Sequence, residues 1–303
     1  MSLLFTIPKY EKKAKIITRE LNFKPGRAQV GRFLGGDFYI KLQTAVKNKK
    51  CYLFGGTIDD EFIQTLLLAH TLKKESAKEI IAIIPYLGYA RQDKNEKGKS
   101  LGALFEGELL KAAGIKKVYV VDLHSEADKK LFPIPLISID PYKILSEKIP
   151  QSFKQAVIVA PDHGAIDNAE ELKKILRNRT AIAYIEKKRV GENVISKKLV
   201  GKVGPSPRRS GLRPRKGGQK AIIVDDILDT GQTIIHAAKE LKKKGVREII
   251  VVITHALFSG KNWKKIWKLG VKKIYCADSA GRRVKDKRIS YTDIDHILID
   301  KFK

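Results

Sequence analysis

The feature that most constrains this chain is an alternation running almost from end to end. Short, continuously apolar, β-branched runs are separated by segments of helical periodicity. The runs at 50–54, 79–86, 117–123, 155–160, 180–185, 221–224, 248–254 and 272–276 read as strands. They do not alternate apolar with polar residues, so each must be buried on both faces, as in a parallel sheet covered by helices. Amphipathic helices are expected between them at 60–75, 102–113, 165–177, 231–244 and 262–269. The order predicts an α/β protein with mostly parallel sheets, and 303 residues are enough for two units.

A faint internal repeat points the same way. An offset of 169 positions superimposes Asp60 on Asp229, Ala69 on Ala238, Leu72 on Leu241 and Glu79-Ile80-Ile81 on Glu248-Ile249-Ile250. The match covers a loop, a helix and a strand. Two copies of one fold are therefore expected, residues 1–145 and 146–303, with the join near Pro141 to Pro150 where the strand pattern stops and restarts.

Lysine and arginine number 61 against 33 aspartates and glutamates, a formal net charge of +28. Such an excess favours anionic partners. Most of the lysines are scattered in twos and threes, however, as on a solvated surface, so nucleic acid is not the expected partner. Residues 204–220, GPSPRRSGLRPRKGGQK, are the exception: with one large apolar residue, Leu212, they read as a mobile basic loop. Cys51 and Cys276 are too few for a disulfide framework, and no run reaches the ~18 apolar residues of a membrane span. The first residues place charge after a very short apolar patch, the reverse of a secretory signal. A cytoplasmic protein without membrane segments is expected.

Function is most legible at 221–233, AIIVDDILDTGQT. Four apolar residues form a buried strand, Asp225 and Asp226 stand at its end, and a Thr-Gly turn opens a helix. Ligands of open α/β sheets bind beyond the carboxyl ends of the strands. A helix N-terminus there offers N–H groups and a positive dipole end to phosphate. Gly231 allows close backbone approach, and Thr230 and Thr233 add hydroxyl donors. The two carboxylates are wrong for phosphate but suit vicinal sugar hydroxyls or, through water, a magnesium ion. Asp229 as a helix cap and Gly231 as a turn residue would explain the helix start, but not two adjacent acids ending an apolar strand. The pattern predicts a site for a sugar carrying phosphate at one end. The matching stretch of the first half, Gly55-Gly56-Thr57-Ile58-Asp59-Asp60-Glu61, has acid in place of Thr230 and should not hold phosphate.

This loop resembles the phosphoribosyl-diphosphate loop of type I phosphoribosyltransferases and of ribose-phosphate diphosphokinases. Three further segments select the diphosphokinases. Residues 84–93, IPYLGYARQD, resemble their ATP-site strand and loop; Asp122-Leu123-His124-Ser125 resembles their metal and ATP segment; 254–260, THALFSG, resembles another of their stretches. The resemblance spans about residues 32–279. It implies two tandem type I phosphoribosyltransferase-like domains, the first on the ATP side and the second on the ribose-5-phosphate side. The implied reaction transfers the diphosphoryl group of ATP to the 1-hydroxyl of ribose 5-phosphate, giving phosphoribosyl diphosphate and AMP.

By the same resemblance, Phe33 would stack on adenine and Asp37 would accept from it. Arg91 and Gln92 would contact ATP, a planar guanidinium suiting bidentate phosphate contact. His124 would lie near ATP and magnesium, with Asp162 as the other metal-linked residue. Asp225, Asp226, Asp229, Thr230, Gly231, Gln232 and Thr233 would hold ribose 5-phosphate. Lys187 and Arg189, in the polar stretch after strand 180–185, would be the charges of a mobile catalytic loop that closes over the transferred group, Arg189 also touching the sugar phosphate. Mg2+ is the implied cofactor and a homo-oligomer the implied assembly. The chain departs from the family pattern at Gly35, where an acid or amide is usual, and in the basic lengthening before residue 221. A similar insertion marks the family's non-catalytic associated proteins, so a regulatory subunit is the alternative, with a type I phosphoribosyltransferase behind it.

Overall fold

The computed structural model describes residues 2–190, 193–203, 219–280 and 283–303. It separates into two compact units, one formed by the chain up to Asp140 together with Asp295–Lys303, the other by Pro141–Ile294.

The first unit contains β1 (Leu3–Thr6), α1 (Glu11–Glu20), β2 (Lys24–Pro25), β3 (Ala28–Arg32), β4 (Phe38–Leu42), β5 (Lys50–Phe54), α2 (Asp59–Lys74), β6 (Glu79–Ile84), α3 (Gly102–Ala112), β7 (Lys117–Val121), α4 (Glu126–Leu131) and β8 (Leu136–Ile139). Its six-stranded sheet has the order β2-β1-β5-β6-β7-β8, every neighbouring pair parallel. The antiparallel hairpin β3–β4 forms a separate two-stranded sheet.

The second unit contains α5 (Tyr142–Glu147), β9 (Val157–Ala160), α6 (Ile166–Ile175), β10 (Ile182–Val190), β11 (Asn193–Val200), β12 (Gln219–Leu228), α7 (Gln232–Lys243), β13 (Val246–Ala256), β14 (Val271–Ala277) and β15 (Ile289–Thr292). Its sheet order is β11-β10-β9-β12-β13-β14-β15, antiparallel only at β10–β11. A final helix, α8 (Asp295–Phe302), returns to the first unit, where Phe302 packs edge-on against Tyr52 and Tyr119.

The repeat expected from sequence is visible in these orders. β1-β5-β6-β7-β8 in one unit corresponds to β9-β12-β13-β14-β15 in the other, with α2 and α7 in equivalent places after the second strand. Central strands such as Ile80–Ile84 and Ala221–Val224 are buried at every position, as the unbroken apolar runs required.

Several boundaries differ from expectation. The units divide at Asp140/Pro141 instead of 145/146, and 295–303 pack with the first unit, because α8 buries Ile297, Leu298 and Ile299. The strand expected at 79–86 stops at Ile84, before Pro85, and the one expected at 117–123 stops at Val121, where Asp122 turns to φ 50°. The segment 262–269 is a 3-10 helix. The strand expected at 180–185 runs to Val190 because β11 pairs with it, so the backbone of Lys187 and Arg189 is in a strand and not a loop. Of the expected basic loop, 204–218 lie outside the described residues, whereas Gln219 and Lys220 begin β12, Lys220 pairing with Glu248 at 3.1 Å.

Candidate active site

All the parallel strands of a unit end on the same edge, so the segments following β9, β12 and β13 are gathered at one edge of the second unit. β12 outlasts its neighbour on one side. Its pairing with β9 ends at Ile223↔Val159, while its pairing with β13 continues to Leu228↔Ala256. Asp225 and Asp226 therefore lie within the strand, not beyond it as the shorter expected strand implied, at the point where one flank has opened. Asp162, two residues past the end of β9, adds a third carboxylate at that opening.

Both strand acids are nearly buried, 7% and 8% exposed. Their orientations are set locally: Asp226 N–H donates to Asp225 Oδ1 at 3.2 Å, and Ile227 N–H to Asp226 Oδ1 at 2.9 Å. Burial, then the charges of Asp226 and Asp162, holds the Asp225 carboxyl well above the ordinary aspartate range. A site that concentrates negative charge in this way favours hydroxyl donors or a cation.

The turn leading into α7 follows directly. Leu228 C=O accepts from the N–H groups of Leu257 and Phe258 at 2.8 and 3.1 Å, which pins the end of β12 to the segment after β13. Gly231 caps α7 at φ 77°, and a Cβ there would stand 2.8 Å from the Cα and Cβ of Trp263. A left-handed turn pressed against backbone admits only glycine. The first turn of α7 presents N–H groups with no intrahelical partner, beside exposed Thr230 and Gln232 and half-buried Thr233. Thus Asp225, Asp226, Asp229, Thr230, Gly231, Gln232 and Thr233 form one continuous acid-to-amide strip. The side chains of Lys187 and Arg189 lie outside what is described; their backbone extends β10 past the end of β9, opposite Lys197 and Val194.

In the first unit, Phe33 and Asp37 share the β3–β4 turn. Phe33 N–H donates to Asp37 C=O at 2.8 Å, and the Phe33 ring, 59% exposed, lies 4.8 Å from that of Tyr39. Arg32 steadies the hairpin by reaching Asp60 on α2 at 3.1 Å. Arg91 is exposed after β6, whereas Gln92 is tied down, its amide oxygen accepting from Ser100 and its carbonyl from Ala103 N–H. His124 is half-buried after β7, and the neighbouring Ser125 hydroxyl donates to Asp93 at 2.7 Å, linking the segments after β6 and β7.

Two family descriptions match the chain: the N-terminal domain of ribose phosphate pyrophosphokinase over residues 2–114, and the phosphoribosyl transferase domain over 128–288. A ribose-phosphate pyrophosphokinase of Mycoplasmopsis pulmonis is 33% identical over 262 residues, 85% of this chain and 78% of the relative. The one of Thermosipho africanus is 33% identical over 259 residues, 83% and 77%. This chain belongs to the ribose-phosphate pyrophosphokinase family. The solved phosphoribosylpyrophosphate synthetase of Mycobacterium smegmatis has the same fold, with a TM-score of 0.84 over 99% of this chain and 97% of that one at 24% identity. The expected class, two tandem phosphoribosyltransferase-like α/β units, holds for this member of the pyrophosphokinase family.

In the first unit the corresponding loop is filled by the chain's own side chains. The Glu61 carboxylate packs on Gly56 and is held by Lys9 and by Tyr10 OH at 3.1 Å. Thr65 Oγ1 meanwhile occupies both the N–H and the C=O of Gly56, at 3.0 and 2.9 Å. No group of three or more His, Cys, Asp or Glu among the described residues is placed to cage a metal. The donors present, acid oxygens with one open flank, fit a hard cation that keeps waters and is completed by substrate phosphates.

Sequence reading missed Glu106 and Thr57. Glu106 lies on the buried stripe of α3 with Ala103, Gly107 and Leu110, so an acid at apolar helical spacing was the available signal. Burial pushes its carboxyl from the ordinary 4.5 up to about 7, with Asp128 adding to the rise against the pull of donors at Thr57 and Tyr89. The folded state thus holds this proton more tightly than the unfolded one. The resulting stability is complete below about pH 4.5 and is lost as pH rises through about 7, by at most ~3 kcal/mol. Asp128, raised by burial to about 6, contributes with the same sign. Denaturant unfolding across that range should show Glu106→Gln with a flatter pH dependence than wild type; an unchanged slope would refute the assignment.

Proposed function

We infer that this chain is a ribose-phosphate diphosphokinase that moves the diphosphoryl group of ATP onto the 1-hydroxyl of ribose 5-phosphate, releasing AMP. The observation that carries this is the strip in the second unit. Buried, mutually repelling carboxylates pass within one turn into a glycine-capped helix start. A pentose phosphate matches that polarity end to end, vicinal hydroxyls on Asp225 and Asp226 and phosphate on the amides and hydroxyls of 229–233. The first-unit loop, filled by Glu61 and Thr65, supports a division of labour in which that unit serves the nucleotide, through Phe33, Asp37, Arg91, Gln92 and His124.

The chemistry demands two anions positioned in line and charge neutralised on the group in transit. Lys187 and Arg189 are assigned to that neutralisation, with Arg189 also on the sugar phosphate. His124 in the first unit and Asp162 in the second are each assigned to Mg2+, which would supply the remaining positive charge. A homo-oligomer is the proposed assembly. The cytoplasm is the proposed compartment, which suits the buried free thiols of Cys51 and Cys276, each made less acidic by burial. Among the described residues no helix is long and apolar enough to cross a membrane.

Incubation with ATP, Mg2+ and ribose 5-phosphate should yield AMP and a diphosphorylated pentose in equal amounts. ADP as the nucleotide product, or no turnover with intact binding, would reject the reaction.

A further inference from the structure

The segment after β6 is gripped from several elements of its own unit. Gly88 N–H donates to Thr57 Oγ1 at 2.8 Å, and that hydroxyl donates to Tyr86 C=O at 3.2 Å. Gly88 sits so close that an added Cβ would fall 2.5 Å from Thr57 C=O. From the other side Tyr89 N–H donates to Glu106 Oε2 at 3.2 Å. Ser125 holds Asp93 at the far end.

Glu106 is the costly member of this set. It is 0% exposed, on a helix face otherwise made of Ala103, Gly107 and Leu110, where a leucine would bury well. A carboxyl placed there loses its hydration, and the donors it meets at Tyr89 and Thr57 repay only part of that loss. The bond it makes lands two residues before Arg91, on the backbone that carries the exposed guanidinium.

We propose that Glu106 is a positioning residue for the nucleotide half of the reaction: with Thr57 it clamps the Gly88–Tyr89 backbone and so sets where Arg91 is presented to ATP. This rests on the reading of 84–93 as the nucleotide segment. Its acceptor oxygen, not its charge, does the work, so Gln can replace it and Leu cannot.

The test compares wild type, Glu106→Gln and Glu106→Leu by steady-state kinetics and by hydrogen exchange of peptides covering 84–93. In Glu106→Leu the KM for ATP should rise ~10-fold or more while the KM for ribose 5-phosphate stays within about twofold. Exchange at 84–93 should quicken ~10-fold with the β6 and β7 peptides unchanged. Glu106→Gln should stay within about threefold of wild type in both readouts. Should Glu106→Leu not fold, Thr57→Val removes the opposite jaw and must give the same ATP-only signature. An unchanged KM for ATP, or both KM values rising together, overturns the proposal. Faster exchange at 84–93 with no effect of ATP on the wild-type protein would instead reject the nucleotide reading and leave the clamp as a purely structural one, which also overturns the proposal.

Discussion

Lys187→Ala is expected to lower kcat by roughly 10²-fold or more, the scale seen when a preorganised donor to a transition state is removed. Transfer of a diphosphoryl group spreads negative charge over equatorial oxygens, which cationic donors must meet and the Asp225–Asp226 acids cannot. β10 carries Lys187 beyond the end of β9, on the same edge as the acid-to-amide strip, and its backbone pairing with β11 continues through that position. A charge needed only in transit should leave ground-state binding nearly intact. Calorimetric affinities for ATP and for ribose 5-phosphate should therefore move by less than about threefold while kcat falls. Lys187→Arg keeps the charge but changes its shape and reach, and should recover only part of the rate. A Lys187→Ala protein within a few-fold of wild type in kcat would remove Lys187 from the mechanism.

Gly231→Ala should be the most damaging small substitution in the second unit. It forces a side chain into φ 77° and drives a Cβ to 2.8 Å from the Trp263 backbone. The left-handed conformation costs ~1–2 kcal/mol, and overpacking a filled site adds ~1–3 kcal/mol. Trp263 is itself 2% exposed and lies 4.6 Å from Phe258, so it has little room to yield. Because the displaced backbone opens α7, affinity for ribose 5-phosphate should fall at least ~10-fold. Gly245→Ala is the matched control, with φ 81° and nothing within 4 Å of its added Cβ. It should show the conformational cost alone, with sugar-phosphate binding unchanged. Equal effects of the two substitutions on denaturant stability and binding would mean that the contact with Trp263 and the phosphate cradle do not matter.

Much of the molecule was legible in the chain. Runs such as Ile80–Ile84 and Ala221–Val224 have one stable environment, a sheet interior, because no face of them tolerates water. The candidate sugar-phosphate strip stood out for a similar reason: adjacent acids, a glycine and a helix start are local features whose chemistry depends on a dozen consecutive residues. The less regular pieces were not. Leu3–Thr6 and Leu136–Ile139 are too short to show a period, and the β3–β4 hairpin mixes half-buried with exposed residues along both strands. The extension of β10 to Val190 depends on β11, a partner that local polarity does not announce. Glu106 looked like one more charge on a charged chain, although its spacing with Ala103, Gly107 and Leu110 marked it as facing inward.

Composition and local pattern were thus sufficient for two α/β copies with mostly parallel sheets, and for the strip at 225–233 as the candidate sugar-phosphate site. Only the tertiary structure decided that β12 outlasts β9 to open a flank beside Asp225, that Glu61 is folded back onto its own loop, and that Glu106 meets Tyr89. Each depends on a segment from elsewhere in the chain: β13 beside β12, Lys9 and Tyr10 on Glu61, and α3 on Tyr89. A strand's length is set by what lies beside it, and a buried charge is tolerated only according to what it touches.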